Sequence, residues 1–305
     1  MNGEPATLSV VQLNAWLLAF PGFAYSRDYA KRRAILAREL AATGADVLAL
    51  QEVWRNGDKR RLEAELRELG YSHFLYTEHR FGLGDGLFLA SKFPIRRIER
   101  GKVFRTVTRF VEFFPAKRAV AATLVHPAGE IDFYQTHLGS LLFDEREHAY
   151  DSRARRKLLG QLLEVAEFVR GHRRSDFAVL VGDLNFHYQE HVPGQGYRER
   201  YADEYTRFLE ALAATGLRFT NSFLAANGMD ATHPIAPTYS QANPYASLEF
   251  STKPEETIDY VLHGEAHDFR ARESTVIFRG PVSPEIPALS DHFGIRTVFS
   301  WPGKR

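Results

Sequence analysis

The 305-residue sequence contains no cysteine, only two methionines and only three tryptophans. The absence of cysteine excludes disulfides, thiolate nucleophiles and cysteine-based zinc sites. No run approaches about 18 consecutive apolar residues, which predicts no membrane-spanning helix. Residues 1–10 carry no basic stretch followed by an apolar one, so no signal peptide is predicted either. We therefore expect a soluble, cytoplasmic chain, and export of a trimmed chain stays open.

An excess of charge of one sign is also lacking. The chain has 39 basic and 38 acidic residues, which give a net charge of +1. No global basic field therefore favours nucleic acid as the partner. The remaining composition, 44% hydrophobic and 25% charged, is that of an ordinary globular protein. No linker, repeat or low-complexity segment divides the chain, so we predict one domain over residues 1–305, and a monomer.

Apolar runs and helical periodicity alternate along the chain. Consecutive strands combined with several helices predict an α/β domain with two packed mixed sheets and helices outside them. Strands are predicted at 8–16, 45–54, 86–95, 177–182, 257–263, 269–278 and 289–300, with a hairpin at 117–140. Helices are predicted at 28–44, 58–69, about 146–171 and about 202–214, and residues 227–256 are predicted to be irregular.

Six of these segments share one property: an apolar strand runs out into a polar group. In α/β folds, strand ends and the loops after them are where chemistry is placed. Taken singly, each such residue is more readily interpreted as a turn or helix cap. The ordered set as a whole is what indicates a site. It comprises Asn14, Glu52, His137, Asp183 with Asn185, Asp259, and Asp291 with His292.

The residue types in this set indicate metal-assisted phosphate chemistry. Clustered carboxylates repel one another, so a positive charge is expected among them. Oxygen ligands suit a hard cation such as Mg²⁺, with Mn²⁺ or Co²⁺ as alternatives. Histidine and asparagine can donate hydrogen bonds to phosphate oxygens, and a histidine beside an aspartate can transfer protons. The set therefore predicts hydrolysis of a phosphate ester by water.

The ordered set resembles the endonuclease/exonuclease/phosphatase superfamily, whose members are DNase I-like. The matching motifs run from Asn14 to Asp291–His292 and so cover nearly the whole chain. The resemblance implies a four-layer α/β sandwich with two central mixed β-sheets flanked by helices. It also implies cleavage of phosphodiester or phosphomonoester bonds with a divalent metal.

Within that superfamily the chain is most similar to neutral sphingomyelinases. Trp16 stands where abasic-site nucleases usually carry a second carboxylate, and the arginine that inositol phosphatases have soon after "GDLN" is absent from "GDLNFHYQE". The stretches that carry the similarity are "LNAW" (13–16), "LALQEVW" (48–54), "GDGLFLASKFPI" (84–95), "FFPAKRAVAATL" (113–124), "YQTHLGS" (134–140) and "IDYVLH" (258–263).

Chemistry and resemblance together assign a role to each residue. The predicted metal ligands are Glu52, as the principal one, Asn14 and Asp291. The predicted catalytic residues are Asp183, which orients or deprotonates water, Asn185 on the phosphate, His292 in acid/base chemistry, Asp259 orienting a histidine, and His137 stabilising phosphoryl oxygens. Lys117 is predicted to bind the substrate phosphate. Whether Asp183 or His292 takes the proton stays open, as does the number of metals.

The resemblance implies a phospholipase C-type reaction on sphingomyelin or a related choline phospholipid, with phosphocholine as the released product. The alternatives are a nuclease or other phosphoesterase of the superfamily, and a binding module without activity. Such an enzyme must reach a membrane surface, and residues 16–26 and 141–143 are candidate docking segments, with core packing as the competing interpretation. His187 and His191 have helical metal-ligand spacing, but no zincin pattern accompanies them, so we expect a surface segment there.

Overall fold

The computed structural model describes residues 4–20, 22–80, 83–108, 115–141, 143–144, 149–187, 189–192, 196–199, 201–230, 233–246 and 255–303. Its helices are α1 (Tyr29–Ala42), α2 (Asn56–Glu68), α3 (Ser152–His172), α4 (Ala202–Ala213) and α5 (Ser222–Ala226). None of the helices in these ranges is both long enough and apolar enough to cross a bilayer.

The strands, in chain order, are β1 (Ala6–Leu17), β2 (Ala19–Phe20), β3 (Phe23–Ala24), β4 (Val47–Val53), β5 (His73–Tyr76), β6 (Phe88–Ser91), β7 (Ile95–Arg100), β8 (Ala119–His126), β9 (Gly129–His137), β10 (Phe143–Asp144), β11 (Ala149–Tyr150), β12 (Ala178–Asp183), β13 (Gln189–Val192), β14 (Gly196–Glu199), β15 (Phe219–Asn221), β16 (Glu255–Glu256), β17 (Asp259–Gly264), β18 (Arg270–Ile277) and β19 (Gly294–Trp301).

Two six-stranded mixed sheets form the centre of the fold. Sheet A has the order β18-β19-β1-β4-β6-β5, and sheet B has the order β15-β17-β12-β9-β8-β7. β1 pairs parallel with β4 in sheet A, and β9 pairs parallel with β12 in sheet B. The remaining pairings in the two sheets are antiparallel. The predicted four-layer sandwich is confirmed.

Three apolar layers hold the sandwich together. Side chains of α1 and α2 pack on one face of sheet A, and side chains of α3 and α4 pack on one face of sheet B. The third layer lies between the sheets and is formed by residues such as Val10, Ala49, Phe133, Val181 and Val261. Burial of this apolar surface is the main favourable term for docking the sheets.

The alternation of side chains along each strand determines which residues reach the site. Val10 of β1 points between the sheets, while Val11 and Leu13 point toward the helices. Positions 12 and 14 therefore continue the inner face of β1. By the same alternation, His137 lies on the same inner face of β9 as Phe133, and Asp183 lies on the same inner face of β12 as Val181. At one end of the sandwich the apolar inner layer thus gives way to polar side chains.

Three sequence expectations about local structure are wrong. The third helix begins at Ser152 rather than near 146, because the Asp151 side chain accepts a hydrogen bond from the Ala154 N–H and caps it. Gly182 does not end its strand, which continues to Asp183. The predicted surface position of His187 is also wrong, since it is 1% exposed, whereas the side chain of His191 lies outside the described residues.

Candidate active site

The polar end of the inner layer brings most of the predicted residues into one connected cluster. Asn14 Nδ2 donates to Glu52 Oε1 at 3.2 Å and to Asp183 Oδ2 at 2.9 Å. Asp183 Oδ2 lies 3.6 Å from His137 Nε2 and 3.9 Å from His292 Nε2. Sheet A supplies Asn14 and Glu52, and sheet B supplies Asp183 and His137. The site therefore lies across the junction of the two sheets.

Glu52 reaches this cluster through an unusual backbone conformation. Leu48 and Leu50 of β4 point toward the helices, so simple alternation would send Glu52 the same way. Its φ of 58° breaks the alternation and turns the carboxylate toward Asn14. A non-glycine residue in the left-handed region is uncommon and is found most often at functional sites. The side chain is 18% exposed, more open than Asp183 at 1%.

Asn185 also has a left-handed backbone, with φ 48°. Its N–H donates to Asp183 Oδ1 at 2.8 Å, which closes a turn immediately after β12. Its side-chain Nδ2 donates to the Leu138 carbonyl at 3.0 Å. Asn185 is therefore placed by this turn and not by the alternation of an extended strand.

His292 and Asp259 form a hydrogen-bonded pair on the other side of Asp183. His292 Nδ1 lies 2.8 Å from Asp259 Oδ2, and Gln12 Nε2 donates to Asp259 Oδ1 at 2.7 Å. Burial disfavours the charged ring, but Asp259 and Asp291 outweigh it and raise the pKa of His292. This contact leaves the Nε2 of His292 directed toward Asp183, and the orienting role of Asp259 stays a prediction.

Burial and the neighbouring Asp259 raise the pKa of Asp183, while His292, Asn14 and Lys117 act in the opposite direction. A carboxylate with a raised pKa is a more effective proton acceptor near neutral pH. Asp183 is therefore suited to accept a proton, and the protonated His292 ring is suited to donate one.

Lys117 and His137 form a third part of the site. Lys117 Nζ lies 3.1 Å from His137 Nε2 and donates to the Leu138 carbonyl at 2.8 Å. Burial lowers the pKa of His137 well below its ordinary value, and the charges of Lys117 and His292 add to that effect. The His137 ring is therefore neutral, and an ammonium can only donate to it. The positive charge in this corner belongs to Lys117.

Among the described residues, one cluster of potential metal ligands has its ligand atoms within 4.8 Å of one another. It consists of Asp183, Asp259 and His292. The Nδ1 of His292 is already engaged with Asp259 Oδ2 at 2.8 Å, so only its Nε2 faces the rest of the cluster. A hard cation prefers oxygen, which points to the more open carboxylate of Glu52. The donor set of the site thus fits a divalent cation on the Glu52 side and proton transfer on the His292 side.

The other two predicted metal ligands, Asn14 and Asp291, each contact a neighbouring group of the protein. Asn14 Oδ1 accepts the Trp16 N–H at 3.0 Å, so its amide nitrogen faces the two carboxylates. In this orientation Asn14 steadies Glu52 and Asp183. Asp291 is 6% exposed, and its Oδ1 lies 3.1 Å from the Ser290 Oγ. Direct ligation by Asn14 and Asp291 stays a prediction.

Sequence reasoning missed two buried glutamines beneath the cluster. Gln12 Nε2 donates to Gln51 Oε1 at 2.7 Å as well as to Asp259, and Gln135 Nε2 donates to the Leu50 carbonyl at 2.7 Å. Both lie on inner faces, two residues before Asn14 and His137. A polar residue at i−2 on the same face of a site strand was the signal that could have identified them.

The candidate docking segment 16–26 divides into two parts. Trp16 is buried against Tyr245, whereas Phe20, Phe23 and Tyr25 are 42%, 62% and 53% exposed. These three are half of the six large exposed hydrophobic residues found among the described residues, and they fall within six positions. In the second segment, Leu141 packs against the core, and the side chains of residues 142 and 143 lie outside the described residues.

Relatives of this chain carry sphingomyelinase names. It is 30% identical over 192 residues to a "putative neutral sphingomyelinase" of Caenorhabditis elegans. The matched region covers 60% of this chain and 42% of the relative. It is 27% identical over 188 residues to a Drosophila melanogaster protein of the same name, with 58% and 39% covered. The matched part thus spans about two fifths of the length of these curated relatives.

Solved structures share the fold at low sequence identity. Beta toxin of Staphylococcus aureus with bound magnesium ions has a TM-score of 0.72 at 17% identity, over 96% of this chain and 99% of that one. Sphingomyelinase C of Streptomyces griseocarneus gives 0.68 at 21%, over 97% and 99%. TDP2 of D. rerio with a single-strand DNA product gives 0.65 at 15%, over 96% and 99%.

The pattern of the Endonuclease/Exonuclease/phosphatase family matches residues 11–292. That range contains every predicted site residue and all of sheet B, whereas the first residues of β1 and the whole of β19 in sheet A lie outside it. The chain therefore belongs to the Endonuclease/Exonuclease/phosphatase family.

Proposed function

We propose that the chain is a Mg²⁺-dependent phosphodiesterase of the phospholipase C type that hydrolyses sphingomyelin or a related choline phospholipid. The observation that carries the proposal is the connected cluster at the sheet junction. In this cluster, hydrogen bonds and short contacts connect the partly exposed carboxylate of Glu52 to the buried groups Asp183 and His292. The ammonium group of Lys117 lies at the edge of the same cluster. A binding module would need none of the buried carboxylates, whose desolvation is costly.

The reaction requires attack of water on phosphorus and departure of the lipid alkoxide. Asp183 takes the proton from water, and the protonated His292 ring, oriented by Asp259, gives a proton to the leaving oxygen of ceramide or diacylglycerol. Lys117 stabilises negative charge on the phosphoryl oxygens beside neutral His137, and Asn185 contacts the phosphate. Mg²⁺ on Glu52 supplies Lewis-acid stabilisation of the same charge when it is bound.

Two observations support a lipid substrate over nucleic acid. The curated relatives carry sphingomyelinase names, and the chain exposes Phe20, Phe23 and Tyr25 a few residues after Asn14. Aromatic side chains partition favourably into the interface of a bilayer. Trp16 occupies the position at which abasic-site nucleases usually carry a second carboxylate. Its side chain is uncharged and buried, so this chain has no second carboxylate there. The fold shared with TDP2 makes nuclease activity the second candidate.

One experiment separates these candidates. Phosphocholine release from sphingomyelin liposomes is measured beside nicking of plasmid DNA, each with Mg²⁺ and with chelator. Asp183→Asn is the inactive variant, and Asp132→Asn is its control. Asp132 is equally buried in sheet B but lies at the opposite end of β9, where it accepts from the backbone N–H groups of residues 174 and 175. Nicking without phosphocholine release would overturn the lipid assignment.

The docking surface is tested separately. Phe20→Ser combined with Phe23→Ser should weaken binding to sphingomyelin vesicles by about 100-fold or more, because burial of each ring contributes roughly 1.5–3 kcal/mol. Turnover of the same lipid dispersed in detergent should not change, because neither residue belongs to the cluster. Ile98→Ser with Val103→Ser is the control, since those side chains are similarly exposed at 40% and 44% on another part of the surface. An equal loss in both pairs would contradict docking through the aromatic segment.

A further inference from the structure

Arg32 of α1 is fully buried, and every hydrogen bond it makes goes to a backbone carbonyl. Nε donates to Arg27 O at 2.9 Å, and Nη2 donates to Trp16 O at 2.8 Å. Nη1 donates to both Ala15 O and Leu289 O at 3.0 Å. The guanidinium lies beside two neighbouring rings, 4.9 Å from the centre of Trp16 and 5.5 Å from that of Tyr245.

A buried cation of this kind is costly unless it is paired. Among the described residues no carboxylate lies within ion-pair distance of Arg32. Burial lowers the pKa of the guanidinium, and the nearby carboxylate of Asp291 opposes that shift. Stabilising α1 alone would not require a buried guanidinium, so the segments outside the helix that Arg32 contacts indicate its role.

The carbonyls that Arg32 holds belong to the two halves of the site. Ala15 and Trp16 follow Asn14 at the end of β1, while Leu289 opens the loop that carries Asp291 and His292. A second bond joins the same two segments, since the Ser290 hydroxyl donates to Asn14 O at 2.6 Å. Residues more than 270 positions apart in sequence are thereby fixed beside each other.

We propose that Arg32 is a positioning residue that fastens the loop of residues 289–292 to the end of β1. It thereby sets the distance between the Glu52–Asn14 side of the site and the His292–Asp259 side. The fork of the guanidinium is essential to this role because it spans two carbonyls from one nitrogen and a third from the next. The activity readouts below rest on the proposed function, whereas the geometric readout does not.

The first test separates the fork from the charge. Arg32→Lys retains the positive charge but cannot span the three carbonyls, so kcat per folded molecule should fall roughly 10- to 100-fold with little change in KM. Arg33→Lys is the matched control in the same helix, because Arg33 contacts Asp58 and not the site. A wild-type kcat in Arg32→Lys, even with a lowered melting temperature, would show a purely structural role and overturn the proposal. If that variant does not fold, Arg32→Gln is judged by the same criterion.

The second test asks whether the two fastenings act on one loop. Ser290→Ala should lower kcat, and its combination with Arg32→Lys should lower kcat by less than the product of the single effects, because either loss frees the same loop. Fully multiplicative effects would contradict a shared function.

The third test needs no turnover. The Nδ1 proton of His292, held by Asp259 at 2.8 Å, should give a resolved NMR signal in the wild-type chain. The signal should shift or broaden in Arg32→Lys and stay in place in Arg33→Lys. An unchanged signal in Arg32→Lys would overturn the positioning role. If the wild-type chain hydrolyses no phosphodiester, the proposed function fails while this measurement still decides the role of Arg32.

Discussion

Replacement of Gly182 by alanine perturbs the site from within a strand. A Cβ at this position would lie 2.1 Å from the carbonyl oxygen of Thr136, whereas ordinary contact begins at 3.4 Å. The obstacle is backbone of the adjacent parallel strand, where Gly182 is the register partner of Thr136, so it cannot rotate away. β9 and β12 must therefore move apart by roughly 1 Å, against the dense packing of the surrounding core.

Two magnitudes follow from that displacement. Overpacking of a core costs roughly 1–3 kcal/mol of unfolding free energy. The effect on turnover should be larger, because Asp183 is the next residue and its carboxylate lies 2.9 Å from Asn14 and 3.6 Å from His137. A misplacement of about 1 Å can lower a rate about 100-fold. We therefore expect Gly182→Ala to fold with a lowered melting temperature and to retain on the order of 1% of wild-type kcat.

The assay combines thermal unfolding with kcat per folded molecule on the phosphodiester that the wild-type chain hydrolyses. Gly57→Ala in α2 is the control, because a Cβ there would meet no atom within 4 Å. Wild-type melting and wild-type turnover in Gly182→Ala would refute the claim that close approach of the two strands positions Asp183.

Three further predictions concern the metal, the buried glutamine and acid stability. Mg²⁺ at 100 times its Kd should raise the unfolding free energy of the wild-type chain by about 2.7 kcal/mol. Glu52→Gln should abolish that gain while the fold persists. An equal gain in the wild-type chain and the variant would contradict the metal assignment. Gln12→Leu should lower kcat roughly 10- to 100-fold by releasing Asp259, while Ser9→Ala on the same strand should not, and wild-type kcat in Gln12→Leu would remove that role. Burial lowers the pKa of His263 to about 4, so the unfolded chain takes up a proton near pH 6.5 before the folded chain does, and stability is lost as pH falls through that window. The loss should reach roughly 3 kcal/mol at pH 4 and should be smaller by that amount in His263→Gln, as measured by urea unfolding at both pH values; an equal loss in the variant would exclude His263 as the source.

Much of the site could be predicted because strand alternation and strand ends are written locally in the sequence. Asn14, His137 and Asp183 each continue the inner, apolar face of a strand, so their convergence follows once two sheets face each other. The sandwich itself could be anticipated from the order of apolar runs, and the family match confirms that interpretation.

What could not be predicted depends on backbone turns and on distant contacts. The direction of Glu52 results from φ 58°, and that of Asn185 from φ 48°, neither of which a periodic pattern encodes. The burial of His187 could not be predicted from its local sequence, because the side chains that cover it, among them Tyr150 and Tyr201, come from other parts of the chain. Arg32 resembles any charged residue of an amphipathic helix until the carbonyls around it are known.

The bond between Ser290 and Asn14 joins residues 276 positions apart. The strand that follows Ser290, β19, occupies an interior position of sheet A, between β18 and β1, so the sheet is complete only once residues 294–301 are present. During synthesis the growing polypeptide therefore carries the carboxylates of the site without their arrangement, and a fragment cut anywhere between residues 14 and 292 lacks one half of it. The arrangement of the site therefore depends on β19 pairing with β1 and β18, and not only on the presence of the carboxylates.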